Sequence, residues 1–177
     1  KSKEDAEKVV EAIKQKGGLA KAFQADVSKE EEIVRLFEEV DTALGNLTSL
    51  VNNAGILERQ SRLEDITWQR LQRIFEANTL GTFLCCREAI KRMSPKYGGN
   101  GGTIVNVSSI ASRTGAPFEY IDYAASKGAV DSLTIGLAKE LADENIRVNA
   151  VRPAFIHTDI HASGGEPNRI ERIKETI

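Results

Sequence analysis

Short apolar runs alternate with amphipathic stretches of helical period along almost the whole chain, and no other feature narrows the fold as much. Residues 3–16 place Ala6, Val9, Val10 and Ile13 on one helical face, and Gly17-Gly18 ends the stretch. Leu19 to Ala25 reads as a short strand leading into Asp26-Val27. Ser28, with Glu31 three positions on, suits a helix N-cap; Ile33, Val34, Phe37 and Val40 carry that helix to about Leu44. Leu47 to Val51 is a strand running into Asn52-Asn53-Ala54-Gly55. Thr67 caps a long helix bearing Leu71, Ile74, Phe75, Phe83, Leu84, Ala89 and Ile90, which lasts to about Met93, before Pro95. A strand over Thr103–Val107, a helix from about Tyr120 to Ala142 and a strand over Ile146–Val151 follow, the last leading into Arg152-Pro153. Strands alternating with helices of this length build βαβ units, so the expected fold is α/β, a doubly wound parallel sheet in three α/β/α layers. Ligands of such sheets bind beyond the carboxyl ends of the strands. Asp26, Asn52 to Gly55, Ser108-Ser109 and Pro153 all follow expected strands and should converge on that edge.

The 177 residues suit one domain. With 41% apolar and 28% charged residues the composition is that of an ordinary globular protein, and a net charge of -2 argues against nucleic acid as a partner. No apolar run approaches the ~20 residues needed to span a bilayer, so no membrane partner is expected. No secretory signal opens the chain, and Cys85 and Cys86 are adjacent, so they cannot staple a long loop; a reduced, cytoplasmic setting is the simplest expectation.

Tyr123 and Lys127 are four apart and share a helical face. An ammonium beside a phenol favours the phenolate, which would lower the tyrosine pKa from about 10 towards the range of a working proton donor. A serine hydroxyl at the same spot can hydrogen-bond a carbonyl or alcohol. Ser109 is the candidate and Ser108 its competitor, because the alternation over Ile104–Val107 fixes faces only in an unbulged strand.

Asp26-Val27, Asn52-Asn53-Ala54-Gly55, Asn78, Ile104 to Ser109, Tyr123 to Lys127 and Arg147 to Pro153, in this order, resemble the short-chain dehydrogenase/reductase family of nicotinamide-dependent oxidoreductases. The resemblance covers nearly the whole chain and implies a Rossmann fold. It implies that Asn78, Ser109, Tyr123 and Lys127 form a catalytic set, with Tyr123 as general acid and base, Lys127 on the nicotinamide ribose and Asn78 in a proton relay. It also implies that Asp26 and Val27 meet the adenine, that Asn53, Ala54 and Gly55 pass close to the adenosine ribose, and that Pro153, Ile156 and Thr158 hold the carboxamide. The implied activity is hydride transfer between NAD(P) and a small carbonyl or alcohol: a sugar, a short alcohol or a 3-oxoacyl compound. A catalytically silent dinucleotide-binding sensor or scaffold is the alternative. Lys1 and Lys3 lean the cofactor towards NADP(H) over NAD(H). Homodimers or homotetramers through the 67–93 and 120–142 helices are the implied assembly.

The sequence departs from the family pattern in three places. No Gly-rich phosphate-binding turn precedes Lys3, and Gly98 to Gly102 is no substitute, since it precedes a strand and does not join one to a helix. The last helix and strand of the family fold do not appear before Ile177, so the domain is expected to be incomplete at both ends, with its central strand among the missing parts. Ala154 stands where glycine usually follows Pro153, a tolerable change if its φ is negative. His157 and His161 lack a third ligand at a matching spacing, so no metal is expected; residues from about 155 to 177 read as a mobile substrate-covering loop hinged at Gly164-Gly165.

Overall fold

The computed structural model describes residues 3–158 and 160–174. Three parallel strands, β1 (Ser49–Asn52), β2 (Gly102–Val107) and β3 (Ile146–Val151), form a sheet in the order β1-β2-β3. Leu50 stands opposite Ile104, and Ile104 opposite Val148. Register partners share a face of the sheet, and this row turns into the core. Ile33 and Phe37 of α2 (Glu30–Leu44) and Cys85, Cys86, Ala89 and Met93 of α4 (Gly81–Met93) pack onto it. Leu141 joins them at the end of α6 (Ile121–Glu140). Fully burying one side chain of Ile or Met size contributes roughly 1.5–3 kcal/mol, so this face anchors the domain. On the opposite face Val51 and Val151 are 62% and 47% exposed.

The core face ends in polar groups. Asn52 and Asn106 are register partners at the carboxyl ends of β1 and β2. Asn52 Nδ2 donates to Asn106 Oδ1 at 2.9 Å and to Cys86 Sγ at 3.2 Å, and Asn106 Nδ2 donates to Thr134 Oγ1 at 2.9 Å. Asn106 is wholly buried.

Several elements differ from expectation. Residues 19–25 carry no strand pairing, and Leu19 is 78% exposed. An apolar run becomes a strand only beside a neighbour whose backbone it can bond, and among the described residues β1 closes that side of the sheet. Ser28 does not cap α2, which starts at Glu30 after Lys29; its hydroxyl donates to Asp26 Oδ1 at 2.7 Å. The helix expected over 67–93 begins as foreseen, with Thr67 Oγ1 accepting from the Arg70 N–H at 3.2 Å. It then runs as α3 (Trp68–Phe75), a π-helical turn (Glu76–Leu80) and α4.

A short helix, α5 (Ala111–Thr114), follows β2, and the expected mobile loop instead contains α7 (Ile160–Ser163) and α8 (Arg169–Ile173). Gly164 is a packing site: its carbonyl accepts from Tyr120 Oη at 3.2 Å, and a Cβ there would lie 2.8 Å from that oxygen. Gly165 turns the chain at φ +89°. Arg172 binds this segment down, donating to Glu119 and Glu166 at 2.6 Å each.

Candidate active site

The π turn places Asn78, fully buried, beneath the loop that leaves β1. Such single-turn bulges widen a helix by one residue and recur at functional sites. Asn78 Oδ1 accepts from the Ile56 N–H at 2.7 Å, and Nδ2 donates to the Ile56 carbonyl at 3.0 Å and to Ser126 Oγ at 3.2 Å. Gly55 lies directly above. A Cβ at Gly55 would come within 3.2 Å of Asn78 Oδ1 and 3.5 Å of Lys127 Nζ, so the missing side chain leaves a shallow cradle over both groups.

Ser108 and Ser109 separate cleanly. The Ser108 and Ile110 N–H groups donate to the Val151 and Pro153 carbonyls at 2.8 and 3.0 Å, continuing the β2–β3 pairing past the strand ends without a bulge. Ser108 is buried, and its Oγ donates to the Lys127 carbonyl at 3.2 Å. Ser109 falls on the other side and lines a cleft of about 250 Å³ together with Tyr123, Leu57, Phe155, His161 and Arg169.

Tyr123 and Lys127 rise from the first turns of α6. Burial pushes the Tyr123 phenol above its ordinary value, while hydrogen bonding with Ser109 and the charge of Arg169 pull it back by less. The expected lowering by Lys127 is therefore corrected. Its ammonium lies 5.7 Å from the ring centroid and donates to the Val107 carbonyl at 2.8 Å, so it is engaged beside the ring. Burial in turn pushes Lys127 down to about 8.

The remaining expected site residues lie along the same sheet edge. Asn53 and Ala54 are exposed between β1 and Gly55. Asp26 holds the Ser28 N–H and hydroxyl through Oδ1, which keeps its carboxyl below the usual range. The Val27 carbonyl lies so close to α4 that a Cβ at Gly81 would approach it to 2.6 Å. Pro153 contributes its carbonyl to Ile110, and the Ile156 carbonyl faces His161. Thr158 is exposed, Lys3 begins α1 (Lys3–Gln15), and Lys1 lies outside the described residues. Ala154 lines the cleft without a positive φ, so its methyl group is unstrained. His157 is exposed while His161 is buried, and the two do not meet at one site.

Sequence reasoning missed two supports. Arg70 of α3 forms a bidentate pair with Asp122, Nε to Oδ2 at 2.7 Å and Nη2 to Oδ1 at 3.1 Å, and donates to the Arg59 carbonyl at 2.6 Å. Asp122 immediately precedes Tyr123, so this pair ties the start of α6 to α3 and to the loop beyond β1. Arg169 lies 5.0 Å from the Tyr120 ring centroid and 5.2 Å from that of Phe155, and it donates to Glu119. A pairing between residues 52 apart leaves no periodic trace in a single sequence.

The profile of the family described as short chain dehydrogenase matches residues 1–168. The chain belongs to that family. This short-chain dehydrogenase is 55% identical over 172 residues to the uncharacterized oxidoreductase YgfF of Escherichia coli (strain K12), an alignment covering 97% of the chain and 70% of the relative. Among solved structures it resembles an NAD+-bound xylitol dehydrogenase, with TM-score 0.81 and 32% identity over 87% of this chain and 58% of that one. It also resembles a gluconate 5-dehydrogenase from Burkholderia cenocepacia J2315 in complex with NADP and tartrate, with TM-score 0.81 and 26% identity over 90% and 61%. The short-chain dehydrogenase thus has the Rossmann-type parallel sheet expected from its alternating elements, and it spans about three fifths of the length of those two solved chains.

Proposed function

We propose that the whole protein to which this short-chain dehydrogenase chain belongs is an NAD(P)-dependent oxidoreductase acting on a small carbonyl/alcohol pair, with Tyr123 exchanging the proton. The observation that carries this is the placement of the Tyr123 phenol and the Ser109 hydroxyl in one cleft, with Lys127 and Asn78 packed behind. Ser109 holds the substrate oxygen, and Tyr123 protonates it in reduction or takes its proton in oxidation. Lys127, held by its Nζ on the Val107 carbonyl, binds the ribose, and Asn78 fixes the Ile56 backbone in the proton path. Gly55, with no side chain, lets the backbone pass close over Asn78 and Lys127, where the dinucleotide lies in this reading. Asp26 and Val27 meet the adenine, Asn53, Ala54 and Gly55 the adenosine ribose, and Pro153, Ile156 and Thr158 the carboxamide. The bound nicotinamide supplies or receives the hydride.

NADP(H) is the preferred form in this reading, supported by Lys3 at the start of α1. Assembly uses the α3–α4 and α6 rods, where Phe83 and Ile135 are exposed apolar residues, and the buried free thiols of Cys85 and Cys86 suit a cytoplasmic setting. The unstrained backbone at Ala154 supports this reading over a catalytically silent relative.

The test is Tyr123→Phe in the full-length protein, followed at the reduced-cofactor absorbance with sugars, short alcohols and 3-oxoacyl thioesters. Turnover falls ~10²–10⁴-fold while cofactor affinity is retained. A variant as fast as wild type sinks the assignment.

A further inference from the structure

We infer that Arg70 is a positioning residue for the proton transfer: through Asp122 it fixes the first turn of α6 so that the Tyr123 phenol stands beside the Ser109 hydroxyl. This rests on the hydride-transfer reading and adds to it the part of the chain that aims the acid.

α6 begins at Ile121, so Tyr123 lies in its first turn, where helix N–H groups lack intrahelical partners and the backbone frays most readily. The helix entry supplies no cap. Tyr120 stands at the N-cap position without a side-chain bond to the N–H groups that follow. Just before it, Ala116 and Phe118 have φ of +43° and +64°, a left-handed backbone that is costly for a residue with a side chain. A segment of that kind keeps its shape where its surroundings over-determine it. The constraint next to Tyr123 is the Asp122 carboxylate. Asp122 is 2% exposed and Arg70 of α3 9%, and the guanidinium donates Nε to Oδ2 at 2.7 Å and Nη2 to Oδ1 at 3.1 Å.

A buried ion pair adds little stability over well-packed apolar side chains of similar volume, so what this one contributes is orientation. Two parallel bonds between planar groups fix an angle as well as a distance; an apolar contact or a single lysine bond does not. Arg70 also donates Nη1 to the Arg59 carbonyl at 2.6 Å, holding the loop after β1, whose Leu57 lines the cleft with Tyr123 and Ser109. The π turn that continues α3 carries Asn78, which donates to Ser126 Oγ at 3.2 Å, and that hydroxyl donates to the Tyr123 carbonyl at 2.7 Å. Tyr123 is thus held through its preceding residue and through its own carbonyl, and both holds lead back to α3 and the turn after it. One helix therefore gauges two walls of the cleft.

The experiment uses the full-length protein with reduced cofactor and a panel of sugars, short ketones and 3-oxoacyl thioesters. Arg70→Met/Asp122→Leu removes both charges at similar volume, and Arg70→Lys keeps the charge without the fork. The double variant melts within about 5 °C of wild type and binds cofactor with unchanged affinity. Its kcat falls ~10²-fold while KM for the carbonyl changes by less than about threefold. Arg70→Lys shows the same split with a loss of about tenfold. A role in stability alone gives the opposite pattern, a lower melting temperature with kcat intact. A kcat within about twofold of wild type in either folded variant overturns the inference. The ¹³Cζ resonance of Tyr123, assigned with Tyr123→Phe, reports the phenol without turnover: it moves in both variants, and an unchanged resonance also overturns the inference. A resonance that moves in a protein whose wild type reduces none of the carbonyls overturns the hydride-transfer reading alone.

Discussion

Asn78 grips Ile56 by both main-chain groups, accepting from its N–H at 2.7 Å and donating to its carbonyl at 3.0 Å. One side chain therefore couples the π turn between α3 and α4 to the loop that carries Gly55. Asn78→Leu leaves two backbone groups unpaired in a buried place and destabilises the protein by about 3 kcal/mol. Asn78→Asp keeps the acceptor but buries a carboxylate with one oxygen against the Ile56 carbonyl, so it is at least as damaging. Chemical denaturation of the three proteins checks the order; a leucine variant within 1 kcal/mol of wild type would contradict the clamp.

The two serines after β2 should respond oppositely. Ser109→Ala removes the hydroxyl facing the cleft and slows turnover roughly 10²-fold, as loss of a hydrogen bond to a developing oxyanion does. Ser108→Ala removes a bond to the Lys127 carbonyl, costs about 1 kcal/mol of stability and leaves most of the rate. Steady-state kinetics and melting curves of both variants decide, and the reverse ranking would reassign the roles.

Asp122→Asn strips the charge partner from a nearly buried guanidinium. Breaking such a pair from one side costs about 3–5 kcal/mol. An Arg70→Met/Asp122→Leu double variant, with neither charge left, should be less damaged than the sum of its single changes. Additive losses in a double-mutant cycle would show that the pair is not coupled.

Lys127 predicts a pH dependence of known sign. Its pKa falls from 10.5 to about 8 on folding, so between those values the unfolded chain holds a proton that the folded one lacks. Stability contributed at this site therefore rises with pH across that window and is lowest below pH 8. Relative to Lys127→Met, wild type gains about 2 kcal/mol between pH 7.5 and 10, measured by denaturant unfolding at each pH. Parallel curves for the two proteins would mean that the amine titrates as an exposed lysine does.

The elements that carry the site were legible because each motif sits where an apolar strand ends or on one helical face. Helical spacing put Tyr123 and Lys127 on one face, but the end of a strand left Ser108 and Ser109 as rivals until the β2–β3 pairing was seen to run on without a bulge. The strand expected over 19–25 was misread because its residues have the composition of a strand without a neighbour to pair with. The loop expected from about 155 to 177 holds α7 and α8 among its described residues, and there Arg169 and Arg172 find Glu119 and Glu166, whose proximity only the fold creates. His161 was weighed as a metal ligand. Its Nδ1 is buried without a hydrogen-bond partner, which a sequence does not display.

The amide pair at Asn52 and Asn106 acts as a ratchet tooth between two strands. Sliding either strand by one residue would drive an amide to the opposite face and break its bonds. Alignment along the sheet is thus a choice between discrete settings, and only one of them keeps both amides satisfied. Because Gly55 and Ser109 each follow one of these asparagines by three positions, the offset between the loop after β1 and the serine after β2 is set by a contact that touches neither.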